Sequence, residues 1–319
     1  MRVGYHASHE QFSPSELLSL VRQAEAAGFR DAMCSDHLAP FSCRQGESGF
    51  AWSWLGAALA STGMTFGTVN APGQRYHPAI IAQAIATLSQ MFEGRFWVAL
   101  GTGQFINEQV TGSGWPSKQL RTERLLQCVQ IIRALLDGET VEHHGEVVVS
   151  GGRLYTLPTV QPLLLGAAIT PETAAWAATW ADGLITVYQH GGRMQEVVES
   201  FRSAGGTNKP IFLQAQHAFA PTYEQALEGA TREWAHSVLS SPVLTDLRYP
   251  EQVDDASALA KPADVSVRVR ISAEPEEHLG WLREYGALGF DAVYVHNVTR
   301  YQREFIDAFG RHVLPHFNP

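Results

Sequence analysis

Four short stretches of this chain gather side chains able to move protons or grip a ligand. "CSDHLAPF" (34–41) carries Asp36 and His37 at the end of an apolar run. An imidazole exchanges a proton near neutral pH, and a neighbouring carboxylate can set its tautomer. The same two residues serve equally well as a turn cap and a packed loop histidine. "YHASHE" (5–10) offers His6-x-x-His9, but a strand brings ligands onto one face at a step of two, so no metal is expected. "ALGTGQFINE" (99–108) sets Gly101, Thr102 and Gly103 after a strand-like run. The glycines let a planar or phosphorylated ligand approach the backbone, Thr102 adds a hydroxyl, and Asn107 both donates and accepts. A tight strand-to-helix turn uses the same glycines. A dinucleotide fingerprint is excluded, because Ile106 stands where its third glycine belongs and no acidic residue ends a strand about 20 residues on. "AAITPETAAW" (167–176) places Ala167 and Ala168 ahead of a helix capped by Thr170, and such an N-terminus attracts anions, as any barrel helix does. His143 and His144 read as solvated.

These stretches need elements to hold them. Eight apolar runs read as strands: 3–8, 30–35, 64–69, 95–100, 162–168, 182–188, 209–219 and 291–297. Amphipathic helical runs lie between most of them. Ser13, Pro14 and Glu16 open the first helix as a capping box, and Gly28 closes it. The alternation breaks twice. Residues 139–158 alternate at period two and read as a hairpin, and residues 240–265 are polar, proline-punctuated and read as an excursion or lid. Eight strand–helix units over 319 residues favour an α/β fold of the (β/α)8 TIM-barrel type, with 1–319 as a single domain. The chemistry then belongs in the loops after the strands. That selects 35–37, Val69-Asn70, 101–107, 167–172, 188–190 and 296–297.

Composition narrows the function classes. The formal net charge is −9, with three lysines against twenty arginines and no basic patch, so no nucleic-acid partner is expected. No apolar run is long enough for a membrane span, and the first residues lack a signal-peptide core. Three cysteines without metal-ligand spacing fit a reducing cytoplasm. Hydrophobic residues make up 45 % of the chain, enough for a large core.

Together "GYHASHEQFSP" (4–14), "SDHLAPF" (35–41) and "GTGQFINEQVTG" (101–112) resemble the luciferase-like flavin and deazaflavin oxidoreductase superfamily. Within it they are most similar to the branch containing the deazaflavin-dependent glucose-6-phosphate dehydrogenases. "RYHPAIIAQAIATL" (75–88) and "WADGLIT" (180–186) extend the likeness over nearly the whole chain. The resemblance implies an oxidoreductase barrel, a homodimer, and a small-molecule substrate. It places the family histidine on His37, its aspartate partner on Asp36, an acid-base glutamate on Glu10 and the strand-four asparagine on Asn107. It also implies a non-prolyl cis peptide near Val69-Asn70-Ala71, under the cofactor ring. The anionic cofactor tail is expected near Gly101–Gly103 and the helix starting at Thr170, beside Ala167 and Ala168.

Departures from the family pattern shape the functional expectation. Gln104 stands where the sugar-phosphate dehydrogenases keep a glutamate proposed as proton donor, and an amide cannot do that work. Phe41 replaces a tryptophan beside the histidine segment. His190 replaces a lysine of the sugar-phosphate clamp, a second lysine has no counterpart in 240–250, and Arg268 keeps the clamp arginine. These losses argue against glucose 6-phosphate as substrate. The chain also resembles a sub-branch of the family that lacks this clamp and uses an ordinary flavin in place of the deazaflavin, so the resemblance implies a flavin enzyme using FMN for hydride transfer or monooxygenation. The alternatives are a dehydrogenase using the deazaflavin coenzyme F-420 on another substrate, and a flavin-binding barrel without turnover.

Overall fold

The computed structural model describes residues 1–317. Its strands are β1 (Arg2–Ala7), β2 (Asp31–Cys34), β3 (Thr65–Asn70), β4 (Phe96–Leu100), β5 (Val141–His144), β6 (Val148–Gly152), β7 (Leu163–Ala167), β8 (Gly183–Val187), β9 (Ile211–Ala218), β10 (Arg270–Ile271) and β11 (Ala292–Asn297). Eight of them pair in parallel in the order β9-β11-β1-β2-β3-β4-β7-β8, and β8 pairs back onto β9. The sheet is therefore a closed eight-stranded barrel, ringed by helices. β5 and β6 form the separate antiparallel hairpin expected at 139–158.

Two faces of each strand bury different layers. The outward residues pack with the helices in one large cluster that includes Tyr5, Phe66, Val98 and Val295. The inward residues Met33, Trp97, Leu165, Phe212 and Tyr294 fill the barrel. Two strand glycines make room for the large rings. A Cβ on Gly67 would sit 1.9 Å from the Trp97 ring, and one on Gly4 would sit 2.5 Å from Tyr294. The two rings meet where Trp97 Nε1 donates to the Tyr294 hydroxyl at 3.0 Å. This plug closes the lower barrel and leaves the upper layer to carry the site.

The stretch at 240–265 is not irregular. It forms three short helices, Ser241–Asp246, Pro250–Ser257 and Pro262–Ser266. Each has proline in its first turn, where the missing N–H is not needed. The prolines that suggest loop punctuation are helix starts. Among the described residues no helix is long and apolar enough to cross a membrane.

Candidate active site

The ends of β1 and β2 bring Glu10 and His37 together. His37 Nδ1 lies 2.5 Å from Glu10 Oε1. Glu10 Oε2 accepts from Ser35 Oγ at 2.7 Å and Ser8 Oγ at 2.8 Å. The carboxylate is buried, and burial alone would push it up. The His37 charge beside it, with hydrogen bonds from His37 and Ser35, outweighs burial and holds it well below the usual carboxylate range. An ionised Glu10 beside Nδ1 favours a proton on that nitrogen over one on Nε2. Ser48 Oγ donates to the His37 carbonyl at 2.6 Å and fixes the backbone there.

Asp36 does not orient His37, contrary to the expectation from their adjacency. Consecutive residues at a strand end point to different sides. The Asp36 carboxylate turns away and accepts from Asn70 Nδ2 at 2.7 Å, the Tyr76 hydroxyl at 2.8 Å and Trp52 Nε1 at 3.2 Å. Arg75 Nη2 adds contacts to its carbonyl at 2.8 Å and to Oδ1 at 3.3 Å. The backbone N–H of Arg75 also donates to Glu108 at 2.7 Å. Arg75 thus ties the loops after β2, β3 and β4 into one body. Asn107 reinforces it, because its Oδ1 accepts from the backbone N–H of Leu38 at 2.9 Å, one residue past His37. Gln104 lies beside it, its Oε1 3.5 Å from Asn107 Nδ2.

Val69, on β3, and Ala167, on β7, pack onto the inner plug, and Gly101 lies between them just past β4. A Cβ on Gly101 would meet only the Ala167 methyl, at 3.5 Å. Gly101 and Ala167 are small, and with Val69 they line a partly exposed shelf at the barrel mouth. Thr102 follows on the rim. Gly103 has φ +78°, a conformation that favours glycine, and a Cβ there would crowd Ala71 and Glu108 at 3.1 Å. Two expectations for this side need correction. Ala168 is the next residue after an inward one, so its side chain joins the outer core rather than the shelf. No cis peptide occurs among the described residues. β3 instead runs on in ladder geometry, with the Asn70 carbonyl accepting from Gly101 N at 2.9 Å. Thr170 caps the helix Pro171–Ala178 as expected, and its hydroxyl already accepts from Thr173 N.

His190 and Arg268 are brought together, but on each other. Arg268 Nη1 donates to His190 Nε2 at 2.9 Å in an exposed pair. His190 also lines a cavity of about 370 Å³ with Tyr188, Arg270 and Glu284, in which Glu284 accepts from Arg270 at 2.9 Å. Phe41 abuts His37 edge-on, with centroids 5.0 Å apart and planes at 85°. Among the described residues no group of His, Cys, Asp and Glu is arranged to hold a metal ion.

Several partnerships at the site have no local signal in the sequence. Ser8 and Ser35 are common residue types whose role appears only once β1 and β2 pair. Arg75 and Tyr76 sit inside "RYHPAIIAQ" but gain meaning through Asp36, some forty residues earlier. His6 and His296 stack at 4.2 Å on the inner face of β1 and β11, and Trp234 packs edge-on against His296 at 4.6 Å. Burial lowers His6 to about 4 and His296 well below the usual histidine value.

The family model described as luciferase-like monooxygenase matches residues 1–295. An F420-dependent glucose-6-phosphate dehydrogenase of Beutenbergia cavernae is 31 % identical, over 99 % of this chain and 97 % of that protein. One from Microbacterium testaceum is 32 % identical over the same shares. Among solved structures, an F420-dependent secondary alcohol dehydrogenase in complex with an F420-acetone adduct superposes with a TM-score of 0.90 at 27 % identity, over 98 % of each chain. The chain belongs to the luciferase-like monooxygenase family and is an oxidoreductase.

Proposed function

We propose that this protein is a coenzyme F-420-dependent dehydrogenase acting on a small uncharged alcohol or the matching carbonyl compound. The observation that carries the chemistry is the His37–Glu10 pair at 2.5 Å, set at the barrel mouth opposite the shelf of Val69, Gly101 and Ala167. Support for the deazaflavin comes from full-length relatives named for F420 dependence. That support reverses the preference for FMN. The lost clamp positions, which prompted the preference, bear on the substrate and say nothing about which ring is bound.

The residues present suit the cofactor. The shelf has no side chain beyond a methyl at Gly101 and Ala167, and the Gly101–Gly103 backbone is free to approach a ligand. When bound, the deazaflavin supplies the carbon that takes or gives hydride. The protein's part is to orient the substrate and handle its proton. His37 Nε2 takes the hydroxyl proton as the alcohol is oxidised and returns it in the reverse direction. Ionised Glu10 steadies the imidazolium that results. Asp36, Asn70 and Arg75 hold the loop that carries His37, and Asn107 ties it to the loop that carries Gln104.

An uncharged substrate is supported by what became of the clamp positions. Arg268 spends a donor on His190 Nε2, so the two clamp positions face each other in place of an anion. The test has two arms. Fluorescence titration with coenzyme F-420 and with FMN reads the cofactor, and binding of FMN alone would overturn that half. Reduction of coenzyme F-420 by a panel of secondary alcohols and sugar phosphates reads the substrate, and turnover confined to the phosphates would overturn the other half.

A further inference from the structure

We propose that His236 is a positioning residue: it braces Phe41, and Phe41 fixes the ring of His37. The inference rests on the role given to His37 above. His236 lies in the turn Ala235–Val238, where the chain leaves the helix Tyr223–Trp234 and begins to cross the barrel mouth. Its imidazole stacks flat on Phe41, with centroids 4.9 Å apart and planes at 22°. Trp234 also packs against it, with centroids 4.6 Å apart and planes tilted at 54°. Phe41 in turn meets His37 edge-on at 5.0 Å. Glu10 fixes His37 at one atom only, Nδ1, which leaves rotation about that contact. The Phe41 edge supplies the second point that stops it.

The brace is anchored from both sides. Asp254 accepts from Ser42 Oγ at 2.7 Å and from Cys43 N at 3.0 Å, and pairs with Arg44 at 3.1 Å. That holds the turn carrying Phe41. Asp246 accepts from Trp115 Nε1 at 2.9 Å, and Arg248 and Gln109 exchange two hydrogen bonds of 2.6 Å. That holds the loop beyond Gln104. One crossing segment therefore locks together the two loops that carry His37 and Gln104, and His236 is where it bears on the reacting centre through Phe41. Burial lowers the His236 imidazole to about 4, so near neutral pH it is an uncharged flat ring in this stack.

The test reads the His37 Nδ1–H proton shared with Glu10, a downfield proton resonance in the cofactor-free protein, assigned by its loss in E10Q. H236A is expected to broaden or abolish it through faster exchange with water. H236F, which keeps a flat ring without nitrogens, should retain it. D254A, which loosens the Phe41 turn from a distance, should weaken it and guards against a folding failure of H236A. In turnover, H236A should lower kcat roughly a hundredfold, the cost of a misplacement of about 1 Å, with cofactor affinity unchanged, and H236F should restore most of it. An unchanged resonance in H236A and D254A, equal loss in H236F, or no downfield proton in the wild type would overturn the proposal. Failure of the wild type to bind coenzyme F-420 would instead overturn the functional reading, and the resonance test would still stand.

Discussion

On one side of the barrel mouth, β3, β4 and β7 lead up to Val69, Gly101 and Ala167; on the other, β11, β1 and β2 present His296, His6, Glu10 and His37. The first side is nearly bare of side chains and carries no titratable group on its shelf. The second stacks imidazoles against one another and sets the buried Glu10 carboxylate beside His37. On the function proposed above, the contrast gives the two tasks of the site to different strands. A shelf with few side chains would accommodate a ring by shape. A crowded titratable wall controls where protons sit, since burial keeps His6, His9 and His236 near 4 while Glu10 stays charged.

The comparison breaks first if the histidine side can be damaged without chemical cost. H37A and E10Q should each lower turnover by roughly 10²- to 10⁴-fold, the range for a lost general base and its partner. Cofactor affinity should change little in either, as measured by fluorescence quenching. Equal losses of turnover and affinity would mean that this side binds rather than reacts. The reverse pattern is expected across the mouth. G101L should lower cofactor affinity about 10- to 100-fold, equivalent to roughly 1–3 kcal/mol of lost fit, with the melting temperature nearly unchanged. The leucine grows into the open shelf rather than into the core, because a Cβ at Gly101 meets only Ala167.

The two sides were not equally legible in the sequence. The eight barrel strands are written in runs of apolar residues, and the structure places each within about two residues of the pattern-based span. His37 and the glycine loop stand at strand ends, where barrel topology alone makes them candidates, whereas Glu10 is reached through the family resemblance. Their partnerships were harder to read. Adjacency suggests Asp36 for His37, yet side-chain alternation turns Asp36 toward Asn70 and Tyr76, and Glu10 arrives from the neighbouring strand. Ala167 and Ala168 look alike in sequence but face opposite layers. The His6–His296 stack joins the two ends of the chain, and no local pattern encodes it. Local periodicity fixes elements; contacts between strands that are neighbours only after closure do not show in it.

Acid should test the histidine side next. His6, His9, His236 and His278 are buried with values near 4, below the value near 6.5 of an unfolded chain. As pH falls, the unfolded chain therefore takes up these protons first, and stability falls with it. The stability is fully present above about pH 6.5 and drains as pH drops toward 4, by about 1.4 kcal/mol per pH unit for each such group. His278 lies outside the mouth, where its Nδ1 meets His217 Nδ1 at 2.9 Å and its Nε2 meets the Ser272 carbonyl. H278N should reduce the slope of unfolding free energy between pH 6 and 4.5 by about one proton's worth while leaving cofactor affinity intact. An unchanged slope would show that His278 is not among the groups resisting protonation.

The smallest expected effect concerns the exposed pair beyond the shelf. Arg268 and His190 are solvent-facing, so breaking them should cost at most about 1 kcal/mol of stability. If the substrate is uncharged, R268A should leave KM for a secondary alcohol within about twofold, because a screened surface contact of this kind contributes little to binding. An anionic substrate would behave differently. Freed from His190, the Arg268 guanidinium could form a charge-assisted contact to a phosphate, and its removal would then raise KM by far more than it lowers stability. A large rise in KM with kcat unchanged would mark the loss of uniform binding to an anion. It would move the substrate back toward the sugar phosphates, and leave the division between shelf and histidine wall standing.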